Sequence, residues 1–173
     1  MQVKIEPVKI NEAQLLSNIS SSCFYNTFYK QNTKEDMKLF LEKSFNIKIM
    51  LQEIMDQNNY FFFAKSEDEI VGYIKLSDAE MPDNAEECDA LEIARIYVVT
   101  EKIGSGIGKS LIDFAVSFAQ QMNKLIIWLG VWEHNRRAIN FYHKYGFEKF
   151  GEHIFMVGND AQTDWLMKKK VTT

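Results

Sequence analysis

The amino-acid sequence predicts a mixed α/β fold of the α+β kind, in which helices cover a sheet. Three observations predict it: apolar residues at helical spacing in the first third of the chain, a β-hairpin pattern after them, and strands alternating with helices in the second half. The chain contains no repeat or low-complexity tract, and its 2 prolines mark no linker. We therefore expect residues 1–173 to form a single domain, long enough to bury a core without disulfides or metals.

The first half of this domain is expected to begin with a strand and continue with helices. The N-terminal stretch MQVKIEPVKI alternates polar and apolar residues, which predicts the strand. Its charges also distinguish it from a secretory signal, so we expect a cytoplasmic location. From about Glu12 to Gln57, apolar residues three or four positions apart predict two or three helices. Thr33, directly before KEDM, is the expected N-cap of one of them.

A β-hairpin is predicted from about Asn59 to Leu76, where aromatic and β-branched residues flank a polar turn. An acid-rich loop, SDAEMPDNAEECDA, follows it. The apolar run LEIARIYVV then has the length of a central strand. After a glycine-rich loop, a helix that opens at Gly108 is predicted by apolar residues at helical spacing, namely Leu111, Ala115, Phe118 and Met122.

The remaining elements are a buried strand, a short helix and two further strands. KLIIWLGV predicts the buried strand, because it is apolar on both faces and short. NRRAINFYHKYGF predicts the helix, with Asn135 as its N-cap and Gly146 at its C-terminal end. The last two strands are predicted in FEKFGEHIFMVG and TDWLMKKKV.

Composition and charge exclude several classes of function. The formal net charge of -4 lacks the concentrated basic face that nucleic-acid phosphates require, so no nucleic-acid partner is expected. No apolar run approaches the roughly 20 residues that cross a bilayer, so no membrane partner is expected either. Cys23 and Cys88 lack a CxxC spacing, which predicts no metal site. His134 is expected in a loop and His143 and His153 on the surface, since none has an acidic or hydroxyl partner at a suggestive spacing.

The segment from Lys102 to Ser110, KIGSGIGKS, looks like a phosphate-binding loop without matching the common nucleotide motifs. The triphosphatase motif needs a glycine where Ile103 stands, and the dinucleotide fingerprint needs one where Lys109 stands. A strand that leads glycines into a helix start nevertheless makes an anion site, because backbone N–H groups point outward at the positive end of the helix dipole. The loop alone leaves a plain tight turn as the alternative.

Two segments together resemble the Gcn5-related N-acetyltransferase superfamily. The loop of that family carries Gln/Arg-x-x-Gly-x-Gly/Ala, matched by Gly106 and Gly108, and its next helix carries Asn-x-x-Ala-x-x-Phe-Tyr-x-x-x-Gly-Phe, matched from Asn135 to Phe147. Ile103 departs from the pattern, because Gln or Arg there would supply a polar contact to a pyrophosphate. The resemblance implies an acyl-CoA N-acyltransferase fold with a central, mixed, mostly antiparallel twisted sheet flanked by helices. It also implies acetyl-CoA as the cofactor, with coenzyme A as a product.

The resemblance further implies which residues bind acetyl-CoA. The backbone of Ile96, Tyr97 and Val98 would pair with the pantetheine arm, as an added strand pairs with a sheet edge. Asn135 and Tyr142 are seven residues apart on one helix, so both point to the same face and one would bind this arm while the other reaches its sulfur. The pyrophosphate would lie on the glycine loop, formed by Gly104, Ser105, Gly106, Ile107, Gly108 and Lys109.

Acetylation of an amine requires a proton acceptor, a proton donor near the sulfur and an N–H that polarises the thioester carbonyl. Tyr142 is the predicted donor, and packing of its ring in the core is the alternative. Glu92 is the predicted acceptor, directly or through water, because burial in an apolar run would raise its pKa. A surface position at a strand edge is the alternative for Glu92. The resemblance implies that the N–H of Tyr97 or Val98 polarises the carbonyl.

Three segments resemble the PaiA-type bacterial polyamine N-acetyltransferases: TFYKQNTKEDMKLFLEKSF, LEIARIYV and GNDAQTDWLMKK. This resemblance implies a small-molecule amine acceptor such as spermidine or spermine. Glu35, Asp36 and the acids from Asp78 to Asp89 would attract a polycation, unless they serve only solubility. The alternatives are another amine, namely a protein N-terminus, an amino acid or an aminoglycoside, or a non-catalytic regulatory protein that binds coenzyme A. The sequence leaves open whether the protein is a monomer or a homodimer.

Overall fold

The computed structural model describes residues 3–82 and 89–171. Cys88 and the part of the acid-rich loop at positions 83–88 lie outside the described residues. In chain order the elements are β1 (Lys4–Pro7), α1 (Ala13–Phe28), α2 (Lys34–Ser44), α3 (Ile47–Met55), β2 (Asn59–Ser66), β3 (Glu69–Ser77), β4 (Ala90–Val98), α4 (Ile107–Gln121), β5 (Ile126–Trp132), α5 (Arg136–Lys144), β6 (Glu148–Val157) and β7 (Asp160–Lys170).

The strands of the described chain form one seven-stranded sheet in the order β1-β2-β3-β4-β5-β7-β6. Neighbouring strands are antiparallel except β4 and β5, which are parallel. The parallel pair arises because α4 connects these two strands, and a helical crossover returns the chain to the same end of the sheet. The predicted mixed, mostly antiparallel sheet flanked by helices is therefore confirmed.

The two parallel strands at the centre of the sheet separate part-way along their length. Their paired residues are Ala90–Ile126, Leu91–Ile127 and Glu92–Trp128. The pairing of β4 with β3 continues to Val98, with a shift of register that leaves Ala94 as the extra residue of a bulge. Bulges bend a strand and increase its twist. Beyond Glu92 the edge of β4 that faces β5 is thus released from strand pairing.

Helices cover both faces of the sheet and bury a separate apolar cluster on each. The cluster under α4 and α5 includes Leu91, Leu111 and Phe147, and the cluster under α1, α2 and α3 includes Phe63 and Tyr73. All five of these side chains are fully buried. Members of both clusters line the gap where β4 and β5 separate. Among the described residues, no helix is long and apolar enough to span a membrane.

The helix boundaries follow the capping residues that the sequence contains. Thr33 caps α2 by accepting a hydrogen bond from the Asp36 N–H at 3.1 Å, as predicted. Asn135 caps α5 in the same way, and Gly146 follows that helix with a φ of 82°. The prediction that Gly108 opens α4 was wrong by one residue. The helix begins at Ile107, because Gly106 takes the N-cap position with a φ of 91°.

Candidate active site

A cleft of about 580 Å³ lies where β4 and β5 separate, and residues from both faces of the sheet line it. On the α4–α5 side its walls include Gly104, Gly106, Lys109, Asn135 and Tyr142. On the α1 side they include Phe24, Phe28, Phe155 and Asp164. The cleft therefore connects the glycine loop on one face with an aromatic enclosure on the other.

One wall of the cleft is a sheet edge. Ile96, Tyr97 and Val98 line the cleft, and their strand partners lie on β3, on the opposite side of β4. The backbone groups that would meet β5 in a regular sheet therefore face the cleft. An extended molecule with amide groups can pair with such an edge as an added strand does. The two amides of a pantetheine arm fit this requirement.

The start of α4 forms the second feature of the cleft. Gly104 and Gly106 have φ values of 92° and 91°, and nothing lies within 4 Å of the place where a Cβ would stand on either. The first N–H groups of a helix, here those of Ile107, Gly108 and Lys109, have no acceptor within the helix. Ser105 supports the turn instead, since its hydroxyl donates to the Lys102 carbonyl at 2.5 Å. The exposed loop thus presents free N–H groups at the positive end of a helix.

Three cations line the α4–α5 side of the cleft. Lys109 is exposed, and its hydrogen bond to the Asp113 carboxylate raises the pKa of its ammonium group. Arg137 and Lys144 on α5 also line the cleft. The sequence prediction missed these two, although their spacing of seven residues is the same as that between Asn135 and Tyr142. Together they offer positive charge to an anionic ligand.

Asn135 and Tyr142 both line the cleft. The Asn135 carbonyl oxygen accepts from the Ala138 N–H at 3.2 Å, so its side-chain NH₂ is the group left for a ligand. The Tyr142 ring contacts the Phe147 ring inside the buried cluster, and burial raises the pKa of its phenol. Tyr97 lines the same cleft. Tyr142 therefore packs in the core and lines the cleft at the same time.

Glu92 is half-buried beside the cleft, and the part of β4 that lines the cleft begins one residue later, at Ile93. It lies opposite Ser77 and Trp128 in a central strand, which differs from the strand-edge alternative. Burial raises the pKa of Glu92, while the charges of Lys75 and Arg95 act in the opposite direction. The structure does not bring this carboxylate together with Tyr142 in the cleft wall.

An ion-pair network that the sequence did not predict holds Arg95 at the cleft. The Glu53 carboxylate accepts two hydrogen bonds from the Arg95 guanidinium, at 2.6 and 2.9 Å, and one from the Lys75 ammonium at 3.0 Å. The Arg95 guanidinium also lies 5.0 Å from the centre of the Phe45 ring. Glu53 is on α3, 42 residues before Arg95, so no local pattern indicates the contact.

Asp164 is a further carboxylate in the cleft that the sequence prediction missed. Its residue is 9% exposed, and burial raises the pKa of the carboxyl group to about 6. His153 lies opposite it on β6, with 3.9 Å between Nε2 and Oδ2. His153 is half-buried, so its expected surface position holds in part, but the expectation that it has no acidic neighbour was wrong. Cross-strand pairing brings the two residues together. His134 and His143 are exposed as predicted, although His134 also has an acidic neighbour, with 3.9 Å between its Nε2 and Oε1 of Glu133.

Comparisons with known proteins agree with this geometry. The sequence model of the acetyltransferase (GNAT) family matches residues 15–147. An uncharacterized N-acetyltransferase from Lactobacillus delbrueckii subsp. lactis is 40% identical over 167 residues, which cover 96% of each chain. An uncharacterized N-acetyltransferase from Mycobacterium tuberculosis is 25% identical over 137 residues, covering 79% of this chain and 83% of the relative.

Two solved structures share the fold. The PaiA N-acetyltransferase from Thermoplasma acidophilum in complex with coenzyme A has a TM-score of 0.80 at 21% identity, covering 98% of this chain and 99% of that one. The spermidine N-acetyltransferase from Vibrio cholerae in complex with CoA and spermine has a TM-score of 0.69 at 17% identity, covering 98% and 96%. At these identities the likeness concerns the fold alone.

Proposed function

Since the chain belongs to the acetyltransferase (GNAT) family, we propose that it acetylates a small primary amine, in particular a polyamine such as spermidine or spermine. Its activity is that of an acetyl-CoA-dependent N-acetyltransferase. The observation that carries the proposal is the cleft between β4 and β5. It has a sheet edge and a helix start on one face, and aromatic rings with a carboxylate on the other.

The α4–α5 side of the cleft is the proposed site for acetyl-CoA. The backbone of Ile96, Tyr97 and Val98 pairs with the pantetheine arm, and the Asn135 NH₂ supports it. The N–H groups from Gly104 to Lys109 hold the pyrophosphate, as free helix-start amides hold anions. Ile103, which is 40% exposed, supplies no polar contact, and the charges of Lys109, Arg137 and Lys144 compensate for it.

The proposed transfer uses the groups at the end of the pantetheine arm. The N–H of Tyr97 or Val98 polarises the thioester carbonyl, whose carbon then bonds to the amine nitrogen while the C–S bond breaks. Tyr142 donates a hydrogen bond to the leaving sulfur. Because a phenol, and above all a buried one, is a weaker acid than a thiol near pKa 8.5, this hydrogen bond matters more than full proton transfer. Glu92, which stands beside the cleft wall, is one of the carboxylates that could accept the amine's proton, directly or through water.

The polyamine acceptor is supported by the aromatic side of the cleft and by the fold shared with a polyamine enzyme. Phe24, Phe28 and Phe155 suit the methylene segments of such a molecule. The acids expected to attract it give less support. Asp36 accepts hydrogen bonds from Thr33 and Asn159, and Asp78 pairs with Lys124. A cytoplasmic location and a homodimeric state remain predictions.

A panel of amines tests the proposal, with thiol release from acetyl-CoA as the readout. We expect acetyl-CoA to bind in calorimetry, and spermidine or spermine to give the highest kcat/KM. Turnover only with a peptide N-terminus, an amino acid or an aminoglycoside would show that the acceptor belongs to that class instead. Binding without turnover of any amine would favour a regulatory protein, and a folded protein that takes up no acetyl-CoA would refute the proposal.

A further inference from the structure

A glycine interrupts the buried strand at the centre of the cleft. Strand β5 is buried from Ile126 to Val131 except at Gly130, which is exposed and lines the cleft. A Cβ built on Gly130 would lie 3.5 Å from Oδ2 of Asp164 and 3.4 Å from Nε2 of His153. The absent side chain thus leaves a space above the sheet, with a carboxylate and an imidazole at its side.

The Asp164 carboxylate lacks a counter-charge in the described part of the chain. No described residue donates a hydrogen bond to its oxygens, and the 3.9 Å to His153 Nε2 exceeds hydrogen-bond length. Burial lowers the pKa of His153, which disfavours the imidazolium that would otherwise neutralise Asp164. A buried carboxylate without a partner is unfavourable, and a cationic ligand would relieve that cost.

Several aromatic faces lie around Asp164, and of the cations that line the described cleft, Arg95 is paired with Glu53 while Arg137 and Lys144 lie on α5. Trp132 is its cross-strand neighbour on β5, and the Trp132 ring lies 6.2 Å from the ring of Phe28 on α1. On β4, Arg95 lines the same cleft, but both of its guanidinium NH₂ groups donate to Glu53. Aromatic faces and one carboxylate attract an ammonium group, and the rings also accept methylene groups.

We infer that the space over Gly130 is the subsite for the acceptor's amino group, and that Asp164 is the catalytic residue that receives it as an alkylammonium ion. This inference rests on the proposed function and assigns the acceptor's chemical class. Asp164 takes one proton from the ammonium ion, and the nitrogen lone pair bonds to the thioester carbon. The C–S bond breaks, a second proton passes from nitrogen to sulfur, and the products are an amide and a thiol. Asp164 then returns its proton to water.

The acidity of Asp164 suits this role. With a pKa of about 6, the group is mostly ionised at neutral pH and still close enough to neutrality to exchange a proton. Glu92 is the competing carboxylate, since its pKa is also raised. The two residues can be told apart because Asp164 lines the cleft and Glu92 does not.

The first test is the substitution Asp164→Asn, which keeps the size of the side chain and removes its charge. We expect kcat/KM for the best amine to fall by about 100-fold, the acid limb of its pH profile near pH 6 to disappear, and acetyl-CoA affinity to stay within about twofold. Glu152→Gln is the matched control. This exposed carboxylate is on β6, opposite Trp165 in the strand register, and it lies on the other face of the sheet from Asp164. An acid limb that persists in Asp164→Asn and disappears in Glu92→Gln would overturn the inference.

A second variant, Gly130→Ala, fills the proposed subsite without changing a charge. Its nearest contacts, from 3.4 to 3.9 Å, are ordinary van der Waals distances, so the protein should fold. We expect KM for the amine to rise by about tenfold with unchanged acetyl-CoA affinity. This variant decides the question if Asp164→Asn does not fold. If the wild type acetylates amines and both variants stay within about twofold of it, the inference is wrong and the proposed function stands. A wild type that acetylates no amine refutes both.

Discussion

The ring of Phe141 occupies the space where a side chain at Gly108 would stand. A Cβ built on Gly108 would lie 3.3 Å from Cζ of Phe141. Gly108 belongs to the first turn of α4 and Phe141 to α5, so this glycine lets the two helices approach at the cleft. Gly104 and Gly106 differ, because they face open space and have positive φ values. The glycines of one loop therefore serve two purposes, backbone conformation and helix packing.

Gly108→Ala should loosen this contact. The added methyl group must displace Phe141 by a few tenths of an ångström, and Tyr142 is the next residue on the chain. We expect the free energy of unfolding to change by less than about 1 kcal/mol in urea titrations, because alanine stabilises a helix relative to glycine and offsets the displacement of Phe141. Acetyl-CoA affinity should fall several-fold in calorimetry. Unchanged affinity in Gly108→Ala would contradict the packing explanation.

Tyr142→Phe should separate binding from turnover. The variant keeps the ring that packs against Phe147 and loses only the hydroxyl group. Its kcat should fall by about 100-fold, since the leaving sulfur loses its hydrogen-bond donor, while acetyl-CoA affinity stays the same. Tyr145→Phe is the matched control, because that tyrosine also lines the cleft. Full activity of Tyr142→Phe, measured by thiol release, would remove Tyr142 from the mechanism.

Glu53→Gln should destabilise the fold strongly. The substitution leaves Lys75 and Arg95, whose side chains are 10% and 17% exposed, without their shared carboxylate. We expect the free energy of unfolding to fall by about 2 to 3 kcal/mol in urea titrations, because two partly buried cations lose the carboxylate that they both hydrogen-bond. The exposed pair of Lys38 and Glu42 offers a control, and Glu42→Gln should change little. A small effect of Glu53→Gln would show that water replaces the carboxylate.

Asp164 should make stability depend on pH between about 4 and 6. Its pKa is about 6 in the folded protein and near 3.8 when exposed, so the folded state binds the proton more tightly. Its contribution to stability is therefore fully present below pH 4 and is lost as the pH rises through 6. Asp164→Asn removes this titration and should be more stable than the wild type above pH 6, by about 2 kcal/mol.

Urea titrations of both proteins at a series of pH values measure this difference. The two curves should converge near pH 4, where Asp164 is protonated in the folded state. His153, the titratable neighbour on β6, is present in both proteins, so its own titration contributes to both curves. If the free energies of unfolding of the two proteins differed by the same amount at every pH, burial would not raise the pKa of Asp164. Gained stability with lost activity is the pattern expected of a residue kept for function.

Local chemistry explains what could be predicted from the sequence. Apolar periodicity gave the order and type of the strands and helices, and side-chain capping gave the starts of α2 and α5. The glycine loop and the α5 segment could be recognised as one site because both are short, continuous motifs. Helix spacing also placed Asn135 and Tyr142 at the cleft together. All of these features depend on residues within a few positions of one another.

The acceptor side of the cleft depends on pairing between distant segments. Asp164, His153 and Gly130 meet through the register of β5, β7 and β6, and Glu53 reaches Arg95 from another helix. The bulge at Ala94 and the end of the β4–β5 pairing at Glu92 decided which part of β4 faces the cleft. The sequence by itself determined the elements and the acetyl-CoA motifs, because hydrogen bonding and side-chain periodicity along the chain are local. Only the tertiary structure decided which carboxylate faces the acceptor, because a shift of one residue in strand register turns every side chain to the opposite face.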